Sequence, residues 1–213
     1  MKKPKSRHAS SPARRSGILR AALACFTESG IAGSSIGDIQ RRADVSVGSL
    51  YHHFKSKENL AAALYLEGIR NYQEGFAPLL GDAMAAREGI RAIVRYHLAW
   101  VKKNRDWARF LFHERHADFM GDADGEIATM NRDFIDGIAR WVEGRVEAGE
   151  LRPITPDIFA CMILGPCQEF SRLYLSGARV TPVERAVREI GECVWRALSE
   201  AGESHAAQAQ QSK

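Results

Sequence analysis

The chain has 213 residues, of which 45% are hydrophobic and 26% charged, ordinary values for a soluble globular protein with a sizeable buried core. Its formal charge of +4 is unevenly held: residues 1–57 carry 11 Lys and Arg against three acids, and the remainder carries 19 against 23. A basic head on a mildly acidic body suits a polyanion, either nucleic acid or an anionic membrane surface, and no apolar run approaches the roughly 18 residues that a membrane span needs.

Residues 1–14, rich in Lys, Pro and Ser, offer nothing to bury and are expected to form a disordered basic arm, either a solubilising tail or a strand laid along phosphates. A helix is predicted from Ser16 to Ser29, with Ile18, Ala22, Cys25 and Phe26 inward and Gly30 as its stop. The apolar stretch from Ile18 to Phe26 behind a basic segment has the outline of a secretory signal. Arg20 interrupts it, however, and Glu28 stands where a small-residue cleavage site belongs, so export is not expected. Cys25, Cys161, Cys167 and Cys193 show no metal-finger spacing and each sits in an apolar helical context. Buried, reduced thiols in a cytoplasmic protein are the expectation.

The stretch from Gly33 to Lys57 reads as two short helices joined by a tight turn. Ser35 suits an N-cap, with Asp38 three residues on, and Ile36, Ile39 and Ala43 share one face. Ser46 caps a second helix running from about Val47 to His53, in which Leu50 and Phe54 point one way and Gly48, Ser49, Tyr51 and His52 another. Small residues let a helix approach a large surface, and polar aromatics can hydrogen-bond or stack on bases, which is the chemistry of a helix reading a major groove. Ser56 then caps a third helix with Lys57 in its first turn, where a cation and a helix N-terminus together suit a phosphate. On periodicity alone, a plain structural hairpin fits this stretch as well as DNA binding does.

Gly33, Ser35, Ile39, Val45, Ser46, Gly48, Ser49, Leu50, Tyr51, Phe54, Ser56, Lys57 and Glu58 together resemble the DNA-binding domain of the TetR family of bacterial transcriptional regulators. Val47 departs from the pattern, standing where many members carry Lys. The resemblance implies a homodimeric, ligand-responsive regulator, most simply a repressor, that binds double-stranded DNA at a palindromic operator. In that reading Ser35, Arg42, Ser46 and Lys57 contact phosphates, while Gly48, Ser49, Tyr51 and His52 face bases. An activator of the same fold is the alternative. Outside the family stand a helical protein docking on anionic membranes and a small-molecule-binding enzyme with a structural helix-turn-helix.

From Lys57 a long helix is predicted to about Glu74, followed by a break over Phe76 to Met84. Helices are then expected at Arg87 to Lys103, Arg105 to His116, Gly125 to Ala148, Pro156 to Ser176 and Pro182 to Glu200. The fold class is therefore all-α: a helix-turn-helix domain over residues 15–60, a larger helical domain over 61–201 and a disordered tail over 202–213. In the last helix Val183, Val187, Ile190, Val194 and Leu198 form an apolar seam. It packs either on the chain's own body or, as the resemblance implies, together with the penultimate helix against a second copy, the last two helices of each chain forming a four-helix bundle. Aromatic and histidine residues crowd positions 96–134, where the family places a cavity for a small, mostly apolar effector. Trp100, Phe110, His113, Met130, Phe134, Met162, Gln168 and Glu169 are the candidate wall. Gly165 and Pro166 should interrupt the penultimate helix. His113 and His116 lack a third ligand of clear spacing, so neither a metal nor a cofactor is expected. No nucleophile elbow, phosphate loop or HExxH pattern points to an enzyme.

Overall fold

The structure, a computed structural model, describes residues 11–81, 84–113 and 124–199. The described chain is helical: α1 (Ser11–Gly33), α2 (Ile36–Ala43), α3 (Val47–His53), α4 (Lys57–Phe76), a 3-10 turn (Ala77–Leu80), α5 (Ala86–Lys103), α6 (Arg105–His113), α7 (Asp124–Glu147), α8 (Pro156–Leu175) and α9 (Val183–Leu198). Strand character among these residues is limited to one bridge, Leu151 with Ser199. The arm expected over residues 1–14 is helical from Ser11 onward. Its first ten residues, His116, and the tail from Glu200 lie outside the described residues. The described chain divides into two compact units, residues 11–68 with 106–113, and residues 69–105 with 125–199.

In the first unit, Ile18, Leu19, Ala22, Cys25 and Phe26 form the buried face of α1 and Ile39, Leu50 and Phe54 those of the next two helices. Gly30 leaves the helical region at φ 71°, a left-handed value that glycine takes without steric cost, so the regular part of α1 ends there as its sequence indicates. α6 belongs to this unit: Phe110 stacks on Phe26 with ring centroids 6.0 Å apart and meets Tyr65 edge-on.

The second unit is built on α5, whose Ile90, Ile93, Val94 and Leu98 meet Ile138, Trp141 and Val142 of α7, Phe159, Ile163 and Cys167 of α8, and Ala186, Val194 and Leu198 of α9. A Cβ on Gly89 would stand 2.5 Å from the Trp141 ring, so only glycine lets that indole lie against α5. Ala85 supplies no side-chain cap to α5. The Glu150 carboxylate does so instead, accepting the Ala86 amide at 2.6 Å while Arg145 holds it at 3.0 Å. α8 runs through Gly165 and Pro166 without a break, with both residues on its exposed side. Proline's missing amide is tolerated there because the freed carbonyl can meet water.

Candidate nucleic-acid interface

α2 and α3 are set by their caps. The Ser35 hydroxyl accepts the Asp38 amide at 3.1 Å and donates to the Asp38 carboxylate at 2.6 Å, and that carboxylate also accepts the Ser35 amide, a complete capping box. These bonds from Ser35 hold the Asp38 carboxyl below the usual carboxylate range, with Arg41 adding a smaller push. α2 stops at Asp44, which takes the left-handed conformation at φ 51°. Gln40 then closes the turn by donating to the Val45 carbonyl at 2.8 Å. Ser46 accepts the Ser49 amide at 3.1 Å and starts α3.

This frame buries Leu50 and Phe54 and turns the opposite side of α3 outward. Val47 and Tyr51 are each 47% exposed, beside the exposed Gly48 and His52; Ser49 is half-buried. A Cβ on Gly48 would meet nothing within 4 Å, so no contact inside the chain calls for glycine there. Arg14 and Arg15 come near the far end of α3. The His53 imidazole is pushed below its ordinary value mainly by burial and then by His52, Arg14 and Arg15, which places these four groups in one positive field. The Arg15 guanidinium lies 5.4 Å from the centre of the Phe54 ring.

Three of the four residues expected at phosphates have work inside the protein. Ser35 is committed to its capping box. Arg42 pairs bidentately with Glu28 of α1 at 2.7 and 2.8 Å, which lowers the Glu28 carboxyl and raises the guanidinium. Lys57 donates to the carbonyls of Ile31 and Ser34 at 2.8 and 3.1 Å, so its ammonium ties the start of α4 to the segment that ends α1. Ser46, an exposed N-cap, keeps its hydroxyl proton available. Sequence reasoning passed over Lys55, which is exposed directly after α3 and enters no ion pair among the described residues. The Phe-Lys-Ser-Lys run offered two lysines, and only the folded chain shows which one is occupied.

Residues 18–64 match the description of bacterial regulatory proteins of the tetR family, and residues 83–187 that of the tetracyclin repressor-like C-terminal domain. The HTH-type transcriptional repressor KstR2 of Mycobacterium tuberculosis is 42% identical over 151 residues, covering 66% of this chain and 70% of that protein. The chain belongs to the TetR family. Two solved structures share the fold: AibR in complex with isovaleryl coenzyme A and operator DNA (TM-score 0.69, 22% identity, covering 87% of this chain and 98% of that one), and the regulator FadR of Bacillus subtilis in complex with stearoyl-CoA (TM-score 0.71, 17% identity, 84% and 96%). This TetR-family chain is thus a DNA-binding transcriptional regulator, with the helix-turn-helix of α2 and α3 in its N-terminal part and a helical C-terminal domain.

The seam expected to pair two TetR-family chains is largely consumed within one. Val194 and Leu198 are buried in the second unit's core, and Val183, Val187 and Ile190 pack against it half-buried. An exposed apolar stripe lies on α8, the other helix expected to pair, where Ile158 is 50% and Met162 and Leu173 each 36% exposed; Ile135 of α7 is also 50% exposed. Cys161 on this stripe and Cys193 on α9 are exposed, contrary to the expectation of four buried thiols, because each points away from the helix face that meets the core.

Of the residues expected to line an effector cavity, several have other surroundings. Phe110 lies in the first unit, Met162 and Glu169 face solvent, with Glu169 paired to Arg172 at 2.6 Å, and Gln168 and Met130 are half-buried. The His113 side chain lies outside the described residues. Trp100 and Phe134 do share a cluster, joined through two residues the sequence did not single out for it: the Tyr72 ring lies 5.3 Å from Trp100 and 5.9 Å from Phe76, which lies 4.8 Å from Phe134. Polar groups thread this cluster. The Tyr72 hydroxyl lies 2.8 Å from Nδ1 of His97, Tyr96 donates to the Tyr72 carbonyl at 2.7 Å, and the Trp100 indole donates to Asn71 at 3.0 Å. Among the described residues, no helix is long and apolar enough to cross a membrane.

Proposed function

We propose that the protein is a homodimeric cytoplasmic repressor that holds a palindromic operator through α3 and releases it when an acyl thioester of coenzyme A binds its larger unit. The outward face of α3 carries this reading, with Val47, Gly48, Tyr51 and His52 outward on a helix anchored from behind by Leu50 and Phe54. A polar ring can hydrogen-bond base edges or cover a thymine methyl, and a glycine admits close approach of the helix to the groove. Ser46 and, in place of Lys57 and Arg42, Lys55 supply the phosphate contacts. Two-fold pairing of such helices requires half-sites about 34–36 Å apart or a multiple of it, hence a palindrome. The outward apolar side chains of α8, Ile158, Met162 and Leu173, support this helix as part of the pairing surface, since together they leave more apolar surface than a solvated helix needs.

The complexes of AibR with isovaleryl coenzyme A and operator DNA and of FadR with stearoyl-CoA support an acyl thioester as the effector class. The aromatic cluster around Tyr72 suits the acyl part, and Asn71, Tyr72 and His97 are its polar handles. α4 carries the signal. Its first residue is tied to the carbonyls of Ile31 and Ser34, and its later turns are tied to Tyr96, His97 and Trp100. An effector shifts the DNA-competent population only by the difference in its affinity for the two arrangements.

Fluorescence anisotropy on duplexes from the DNA flanking the coding region, in excess nonspecific competitor, tests the reading. A protected palindrome that is released by acyl-CoA of some chain length supports it. Binding that competitor removes, together with no preferred sequence in a random-duplex selection, overturns it.

A further inference from the structure

One end of the α5–α9 surface forms an open groove of about 610 Å³, lined by residues of these two helices and by none of α2, α3 or α8. Its floor is apolar, made by Ala99 of α5 and by Val183 and Val187 one turn apart on α9. Its rim is cationic, with Arg95, Lys102, Lys103 and Arg188 set against a single acid, Glu184. Glu184 is already engaged: Lys102 holds its carboxylate at 2.8 Å, and Arg188 donates to its carbonyl at 3.2 Å. Arg95 and Lys103 are exposed and enter no ion pair among the described residues. The neighbouring acid on α9 cannot serve them, because Glu192 already accepts Arg87 at 2.9 Å and Arg91 and Arg196 at 3.2 Å.

The groove therefore has two unmet requirements of different chemistry. A bare anion would answer the two cations and leave the floor wet, and a neutral apolar molecule would do the reverse. The volume lies within the roughly 300–1,000 Å³ of small-molecule sites, and the aliphatic stems of Arg95 and Lys103 extend the apolar wall while their charged ends stay in water. We propose that this groove binds a monomeric anionic amphiphile, a single alkyl or acyl chain ending in phosphate or carboxylate. Arg95 and Lys103 hold the head, and Ala99, Val183 and Val187 lie under the chain. The site is separate from the aromatic cluster around Tyr72 and does not depend on what releases the operator.

Isothermal titration of the full-length protein with decyl phosphate below its micelle concentration tests this, with inorganic phosphate and decanol as the two half-probes. Saturable binding of one decyl phosphate per chain is expected, with neither half-probe matching it. The double variant Arg95→Glu, Lys103→Glu should weaken binding about tenfold or more, as reversal of two surface charges allows. Ala99→Glu, at an exposed position, should do the same through the floor. Arg95→Gln, Lys103→Gln replaces the charge reversal should that variant lose its helical circular dichroism. Parent-like binding by the folded variants, or inorganic phosphate binding as tightly as decyl phosphate, overturns the proposal. Capture of the protein by phosphatidylglycerol vesicles with no binding of the monomeric probe also overturns it, in favour of a membrane surface.

Discussion

Lowering the pH from 7 to 5 should destabilise the larger unit by about 2 kcal/mol through His97 alone. This side chain, 3% exposed in the core of α5, has its imidazole pushed down to about 4 by burial. Its Nδ1 lies 2.8 Å from the Tyr72 hydroxyl, whose own ionisation is pushed well up, chiefly by burial and then by Cys167 and Tyr96. Tyr72 therefore stays a neutral hydroxyl beside a neutral imidazole. In the unfolded chain the same imidazole titrates near its ordinary value of 6.5. The folded value is the lower one, so the unfolded chain takes up the proton first. The contribution is fully present above about pH 6.5 and is lost as the pH falls toward 4. Linkage over the two pH units gives about 2 kcal/mol, and about 3 kcal/mol over the whole window. Urea unfolding followed by tryptophan fluorescence checks this, since Trp100, Trp141 and Trp195 all report on this unit. Other groups titrate in the same range, so the decisive quantity is the difference from His97→Asn, whose amide can donate to the Tyr72 hydroxyl or accept from it. The parent should lose about 2 kcal/mol more than the variant between pH 7 and 5. Parallel losses would refute the assignment of a buried neutral imidazole.

Lys57→Met should lower the stability of the first unit by about 1–3 kcal/mol in chemical denaturation, because two carbonyls lose a charged donor; unchanged stability would return Lys57 to the phosphate contacts. Gly48→Ala should leave the fold intact and stabilise α3 by up to about 1 kcal/mol while weakening operator binding at least about tenfold. Operator affinity equal to the parent's would show that α3 does not approach DNA closely. Glu28→Gln frees Arg42, so nonspecific DNA binding should tighten and the slope of log affinity against log salt should steepen by about one ion; an unchanged slope would leave Arg42 a purely structural residue. Met162→Glu should convert the proposed dimer to monomer in light scattering at micromolar concentration, and a variant that stays dimeric would move the proposed pairing surface off α8.

The helix-turn-helix was legible because its determinants are local. Ser35 with Asp38, and Ser46 with Ser49, are caps whose spacing alone places the hydrogen bonds, and Leu50 and Phe54 four residues apart mark the inner face of α3. Lys57 and Arg42 were legible as cations and opaque as partners. Their hydrogen-bonding groups, Ile31, Ser34 and Glu28, lie 14 to 26 residues away and are brought near only by the turn at Gly30. Two of those partners are backbone carbonyls, which every residue carries, so no side-chain pattern could announce them. The same holds for Tyr72, whose roles depend on His97 and on the Tyr96 hydroxyl more than 20 residues further along.

The two last helices show where periodicity stops being informative. α9 has the more regular apolar stripe, and α8 looks hydrophobic on nearly every side. A regular stripe says that one face is buried without saying against what. In α9 the stripe meets α5, and Val194 and Leu198 vanish into the chain's own core. α8 uses Phe159, Ile163 and Cys167 for that same core and still has Ile158, Met162 and Leu173 left over on another side. A helix with one apolar face satisfies one neighbour, and a helix with two needs a second. Surplus apolar surface, more than a clean stripe, is therefore the sequence signal for a second neighbour, and α8 carries it.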